Sequence, residues 1–347
     1  LIVATHGRSF WVIDDLTPLH QLNNDNKNNE AILFKPNISY RMSQSVSRGG
    51  ENLLLNGKNH PNGVIVNYYI KDLNENDFLR IDIENTDGSL IRSFSNNKKI
   101  AISDLDKKNE VMLGNPSYDN LTQISDIESL DPRSGGNRII WDMRYPGFTS
   151  FDGMILYSSP NLGPKVTPGK YNIKMTYNNM VMEKQFEILK DPRVPTSQEG
   201  YENQLEFLLK VKNEVSKANQ SIIQIREIKK DMNYILSKTK DNIELENLVN
   251  NYMNDLSIIE NKIHMTKNQS RQDPLNYGIR INNRLAFLLF DSQRGDYPPT
   301  NQALEFFNEI KKELDIELSR LEDVIITHKS IISSYMKENN INLIISK

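Results

Sequence analysis

Between about residues 31 and 190, apolar side chains recur at every second position, the period of a strand with one face buried. In Phe78-Leu79-Arg80-Ile81-Asp82-Ile83-Glu84, the residues Leu79, Ile81 and Ile83 share one face and Arg80, Asp82 and Glu84 the other. Val64, Val66, Tyr68 and Ile70 alternate in the same way, as do Ile139, Trp141 and Met143. Tyr171, Ile173, Met175 and Tyr177 form a further series. Asn178-Asn179 then supplies a turn pair tolerant of positive φ, and Met180, Met182, Phe186 and Ile188 mark a returning strand. Several short strands joined by Gly, Pro and Asn turns predict an Ig-like antiparallel β-sandwich. The stretch 95–136 is polar and poorly periodic, and reads as a long insertion or irregular crossover.

After Lys190-Asp191-Pro192-Arg193 the period changes to three and four. Thr196-Ser197-Gln198-Glu199 has the spacing of a capping box. Leu208, Val211, Val215, Ala218, Ile222 and Ile225 follow, resuming at Met232 and Leu236. Asp241-Asn242-Ile243-Glu244 is a second cap, leading to Leu245, Val249, Tyr252, Leu256, Ile259 and Ile263. A shorter helix is expected over 277–293, with Ile281, Leu285 and Leu288 inward. Pro298-Pro299-Thr300 opens the last, with Phe307, Ile310, Leu314, Leu321, Ile325, Ile332 and Tyr335 inward. Four amphipathic segments of roughly 40, 26, 17 and 40 residues predict a C-terminal antiparallel α-helical bundle.

The start of the chain stands apart from both zones. Leu1-Ile2-Val3-Ala4 and Ser9-Phe10-Trp11-Val12-Ile13 read as two short strands around a polar turn, ended by Asp14-Asp15. An isolated hairpin is marginal in water, so this pair is expected to complete a sheet whose other strands lie elsewhere. Asn23 to Asn29 (NNDNKNN) reads as a solvated linker.

Composition narrows the function classes. The 347 residues carry 42 Lys+Arg against 45 Asp+Glu, a formal net charge of -3, which argues against a general nucleic-acid binder or a polybasic membrane binder. No cysteine is present, which excludes disulfides, thiolate zinc sites and cysteine nucleophiles in this chain. No apolar run approaches the ~18 residues that a transmembrane helix needs. Asn occurs 43 times, with Ile and Lys also abundant, a bias we read as that of an AT-rich genome.

Candidate chemistry is sparse. His6, His20, His60, His264 and His328 show no metal-ligand spacing. His328 falls on the inward line of the last helix and is expected to be a partly buried structural residue, whereas His264 flanks its stripe and is expected to be solvated. Asp104 and Asp106 have the spacing that opens a calcium loop, but Lys107-Lys108 follow and the required Gly and terminal Glu are missing. Asp14-Asp15 reads better as a strand end than as a cation site. Ser134-Gly135-Gly136 is a lone Gly-rich turn, and Lys165 to Gly169 a Pro/Gly turn before a strand. His6-Gly7-Arg8-Ser9-Phe10-Trp11 is the most distinctive string, because an indole and a guanidinium beside a turn are groups that line carbohydrate subsites. The competing reading packs Trp11 between sheets and pairs Arg8 with a carboxylate. Tyr68, Tyr69, Trp141 and Tyr145 could form a binding face, though core packing suits Trp141 better. Sequons at Asn37, Asn120, Asn219 and Asn268 carry little weight in so Asn-rich a chain.

The string VATHGRSFWVIDDLTPL resembles the closing blade of secreted bacterial BNR-repeat, sortilin-like β-propeller proteins, many of them labelled glycosyl hydrolases. Leu33-Phe34-Lys35-Pro36 with Tyr40-Arg41 resembles the entry to the domain after the propeller, and Gly63 to Ile70 its first long strand. Asn137 to Pro146 is similar to an N-R-x-x-W-D-x-R-Y-P run of that family. Pro168-Gly169-Lys170-Tyr171, Lys190 to Arg193, Asn282-Asn283-Arg284-Leu285 and Asp296 to Thr300 are similar to further landmarks. The resemblance spans nearly the whole chain, although no S-x-D-x-G-x-x-W Asp-box occurs here.

The resemblance implies an α+β, multi-domain chain: last-blade strands of an upstream β-propeller over 1–22, an Ig-like β-sandwich over 31–190 and the helical bundle over 196–340. It implies the C-terminal part of a longer protein that is secreted, periplasmic or associated with a bacterial cell envelope. The expected function is a non-catalytic accessory and interaction region that stabilises the propeller and presents protein- or glycan-binding surfaces. The alternative is the C-terminal part of a sialidase-like glycoside hydrolase whose catalytic residues lie on the propeller. Its expected partners are the upstream propeller of the same protein and a protein or glycan ligand, with no nucleic acid and no transmembrane segment. No catalytic residue, cofactor or metal is assigned. The binding candidates are His6, Arg8 and Trp11.

Overall fold

The structure is a computed structural model that describes residues 1–4, 6–7, 10–13, 15–42, 61–97, 127–239 and 242–341. The chain is α+β and divides into two compact units. The first takes the described residues up to 97, then 127–146 and 165–201; the second takes 147–164 and those from 202 onward. Asp14, His60, the calcium-like pair Asp104/Asp106, the sequon at Asn120 and most of the insertion at 95–136 lie outside the described residues.

Among the described residues the first unit holds eleven strands: β1 (Ile2–Ala4), β2 (Phe10–Val12), β3 (Ala31–Leu33), β4 (Ser39–Arg41), β5 (Val64–Ile70), β6 (Leu79–Asn85), β7 (Leu90–Ser95), β8 (Ile127–Ser129), β9 (Gly135–Trp141), β10 (Gly169–Tyr177) and β11 (Met180–Lys190). They form a two-stranded sheet, β1-β2, a six-stranded sheet in the order β4-β11-β10-β6-β7-β8, and a three-stranded sheet, β3-β5-β9. The alternating residues named above supply the core: Val64, Val66, Ile70, Leu79, Ile81, Ile83, Ile173 and Met175 are all fully buried. Each such aliphatic side chain contributes about 1.5–3 kcal/mol on burial. Trp141 belongs to this core, edge-on to Tyr171 and Phe186 at 6.2 Å, and its indole N–H donates to the Arg144 carbonyl at 3.0 Å.

Four local expectations change here. The sheets are not wholly antiparallel: β4 runs parallel to β11 and β8 parallel to β7, pairs whose partners lie far apart along the chain and are not joined by a hairpin. Gly135 and Gly136 are not a free turn but the first residues of β9, opposite Ile70 and Tyr69. Met143 leaves the strand at φ 62 yet stays buried. The stretch 23–29 is no open linker. Asn23 Oδ1 accepts from the backbone N–H of Asp25 and Asn26 at 2.9 and 3.0 Å, and the Asn26 amide donates to the Gln21 carbonyl at 2.8 Å. Short amide side chains that mimic backbone partners turn a polar string into a folded one.

The helices are α1 (Thr17–Gln21), α2 (Gln198–Lys238), α3 (Ile243–Ile263), α4 (Pro274–Tyr277), α5 (Ile281–Asp291) and α6 (Asn301–Glu338). One turn of helix, α1, follows β2 within the span 1–22 read as strands, with its first N–H held by Asp15 at 2.9 Å. The cap of α2 is Ser197, one residue past the expected Thr196: its hydroxyl accepts from the Gly200 N–H at 3.1 Å. Asn242 and Thr300 cap α3 and α6 in the same manner. Gly278, at φ 82, ends α4, and the helix expected over 277–293 begins later, as α5 from Ile281. In the second unit Val211, Val215, Ile222, Leu256, Ile259, Leu285, Ile310 and Leu314 meet in one apolar core with Phe148 from the irregular segment 147–164.

Candidate functional site

The hairpin β1-β2 carries the sequence candidates. Gly7 at φ 78 makes the turn, and the register sets Ile2 against Val12, Val3 against Trp11 and Ala4 against Phe10. His6 and Trp11 are both solvent-exposed, and Arg8 lies outside the described residues, so the three are not seen to converge on one ligand position. Trp11 does not pack between sheets: it is 64% exposed, Phe10 74% and Ile2 68%. Apolar side chains therefore face water on both sides of a two-stranded ribbon, an arrangement that is unfavourable unless another surface covers it.

A cleft of about 500 Å³ also lies in the first unit. The folded asparagine turn forms its rim, and Ala31, Leu33 and Met182 from β3 and β11 lie along it. The Gln21 side chain pairs both ways with the Lys35 backbone, donating to its carbonyl at 3.0 Å and accepting from its N–H at 2.8 Å. That amide and the Asn26 amide are spent inside the protein. The lining residues turned to water are His20, Asn29, Glu183 and Lys184, among others. Polar donors and acceptors beside an apolar wall suit a hydroxyl-rich or peptide ligand.

Sequence reasoning missed a buried polar seam in the second unit. His264 is only 3% exposed, not solvated. It is the residue after the last turn of α3, and its extended backbone (φ -133, ψ 142) carries the ring off the helix surface and edge-on against Phe151 at 4.9 Å. The Asn282 amide lies 3.1 Å from His264 Nδ1 and donates to Asn219 Oδ1 at 2.9 Å, while the Asn219 amide donates to the Thr149 carbonyl at 2.7 Å. Asn283 pairs both ways with the Tyr157 backbone and donates to Ser159 Oγ at 3.0 Å. Helical side-chain amides thus satisfy the backbone of the irregular segment 147–164. Buried Glu260 takes Arg226 Nε at 3.0 Å and Lys229 Nζ at 2.6 Å.

The electrostatics follow from this packing. Burial, then the nearby Arg226 charge, pulls the His264 ring down to about 4, against the smaller opposing pull of Asn282 and Glu260. Burial would raise the Glu260 carboxyl, but hydrogen bonds from Lys229 and Arg226 outweigh it and hold the group below its ordinary value. A signal for part of the seam was present in the sequence. Asn219 stands four after Val215 and three before Ile222, and Glu260 has the same relation to Leu256 and Ile263, so both are polar residues on inward lines. His328, by contrast, sits where its spacing placed it, partly buried, stacked on Tyr252 at 4.8 Å and bonded to Asp255 Oδ2 at 2.8 Å.

Among the described residues no group of three or more His, Asp or Glu is placed to hold a metal ion, and no helix is long and apolar enough to cross a membrane. Compared with protein-family models, curated proteins and solved structures, the chain gives no match.

Proposed function

We propose that this chain is a non-catalytic accessory and interaction region of a secreted, sortilin-like BNR β-propeller protein of the bacterial envelope or periplasm. In this reading the hairpin of Ile2–Ala4 and Phe10–Val12 supplies strands to the propeller of the same protein. The sheets of the first unit are an Ig-like sandwich, and the long helices an antiparallel bundle. The cleft rimmed by the asparagine turn is the surface offered to a glycan or protein ligand.

The observation that carries the reading is the hairpin itself. Phe10, Trp11 and Ile2 are each more than 60% exposed in a ribbon with no third strand among the described residues. A ribbon of that kind gains its stability from strands added beside it. The test supplies the propeller as a separate polypeptide and measures complex formation with this chain by size-exclusion chromatography with light scattering. A stoichiometric complex is expected, lost in the double variant Phe10→Ser, Trp11→Ser. No complex, or one that survives the double variant, overturns the proposal for the hairpin. Hydrolysis of aryl glycosides by this chain, abolished by substituting one of its own carboxylates, overturns the non-catalytic reading.

A further inference from the structure

The second unit contains a cavity of about 300 Å³ lined by Asn261, Met265, Lys267, Tyr277 and Arg280. It is formed where α3 ends, the chain turns through 264–273, and α4 hands over to α5. Two of its five lining side chains are cations and none is an acid. Among the described residues no carboxylate is seen to pair with either cation: Arg280 and Lys267 are both absent from the ion pairs of the second unit, which engage Arg226, Lys229, Arg284 and others. Asp273, the acid nearest in sequence, is taken by its own turn, accepting from the N–H groups of Gln269 and Ser270 and from the Ser270 hydroxyl at 2.7, 2.8 and 2.9 Å.

The remaining groups add shape to this charge. The Arg280 Nε is closed off from solvent and, among the described residues, has no acceptor, so no protein group neutralises the guanidinium charge at the cavity. Lys267 Nζ stands 6.0 Å from the centre of the Tyr277 ring, and that ring is close to half exposed. Met265 is buried and provides an apolar surface. The Asn261 amide is engaged by its own neighbours, donating to the Ser257 carbonyl and accepting from Thr266 Oγ1, which fixes the wall rather than the ligand.

We propose that this cavity binds a small oxyanion carried on a ring of monosaccharide size. Arg280 and Lys267 take the carboxylate or phosphate oxygens, and the ring lies against Tyr277 and Met265. The volume is at the lower end of the range for small-molecule sites, which sets the ligand at one ring. The interaction is charge-assisted and partly exposed, so it weakens as salt screens it.

The test is isothermal titration of the whole chain with glucuronate, glucose 6-phosphate and neutral glucose at low salt. At least one anion is expected to bind where glucose does not, and which one binds separates carboxylate from phosphate recognition. Lys267→Gln, at an exposed position, is expected to weaken that binding about tenfold with an unchanged melting temperature, and Arg280→Gln by more, consistent with loss of one or two charge-assisted contacts. The proposal is overturned if neither anion binds, if glucose binds as tightly as the anions, or if Lys267→Gln leaves the dissociation constant unchanged.

Discussion

The Asn282 amide nitrogen lies 3.1 Å from Nδ1 of His264, at the centre of a seam where both residues are at most 3% exposed. A neutral imidazole with its proton on Nε2 can accept the amide N–H at Nδ1. Burial first, then Arg226, keeps the ring uncharged in the folded protein.

This makes stability depend on pH with a defined sign. The His264 ring titrates at about 4 when folded, against an ordinary value of 6.5. Between those values the unfolded chain binds a proton that the folded chain refuses. Stability is therefore expected to fall as pH drops from about 6.5 towards 4, by on the order of 3 kcal/mol from this one group. Urea denaturation of the wild type and of His264→Gln at several pH values checks this: the difference between the two curves should shrink towards low pH. Parallel curves would mean that the ring titrates normally.

Asn219 links the seam to the irregular segment. Replacing it with Leu keeps the volume but strands the Thr149 carbonyl and one donor of Asn282 in an apolar surrounding. A loss of about 2–3 kcal/mol is expected, visible as a lower urea midpoint. A change under about 0.5 kcal/mol, the range of an indifferent surface substitution, would show that the seam is not paired as described.

Two glycines of the first unit should respond differently to alanine. Gly63 has φ +141, and an added Cβ would clash with the Trp141 carbonyl oxygen beside the β5–β9 pair. Gly88 also has positive φ, +82, but its Cβ would meet nothing within 4 Å. Gly88→Ala is expected to cost about 1 kcal/mol for backbone strain alone, and Gly63→Ala several-fold more because the backbone must move. Thermal denaturation of the two variants side by side measures the contrast. Equal shifts would rule out the close approach at Trp141.

Much of the local structure was legible from periodicity. The inward residues of β5, β6 and β10 and of the long helices are the alternating and three-four series of the sequence, because burying one face leaves a regular trace. Helix starts were legible to within a residue: Thr300 caps where the Pro298-Pro299-Thr300 opening was read, while Ser197 and Asn242 each cap one residue past the first position of the string read for them. Less readable was any feature whose partner lies far along the chain. The parallel pairings of β4 and β8 leave no local mark, and neither does the inward turn of His264, which depends on an extended residue after a helix end.

The candidate sites divide along the same line. The hairpin was visible in sequence as two short apolar strands, the second holding Phe10 and Trp11, and both aromatics are exposed. The cavity of Lys267, Tyr277 and Arg280 carries no motif, since its side chains come from the turn after α3, the end of α4 and the residue before α5.

The sequence by itself determined the two structural periods, the caps, and the exclusion of thiol chemistry, because each follows from residue type and spacing within a few positions. The tertiary structure alone decided what the asparagines are for. Their abundance looked like composition, yet Asn219, Asn282 and Asn283 are buried and hydrogen-bonded to partners 18 to 126 residues away. A short amide is indifferent in an open chain. It becomes specific only where a packed core denies water to the backbone groups beside it.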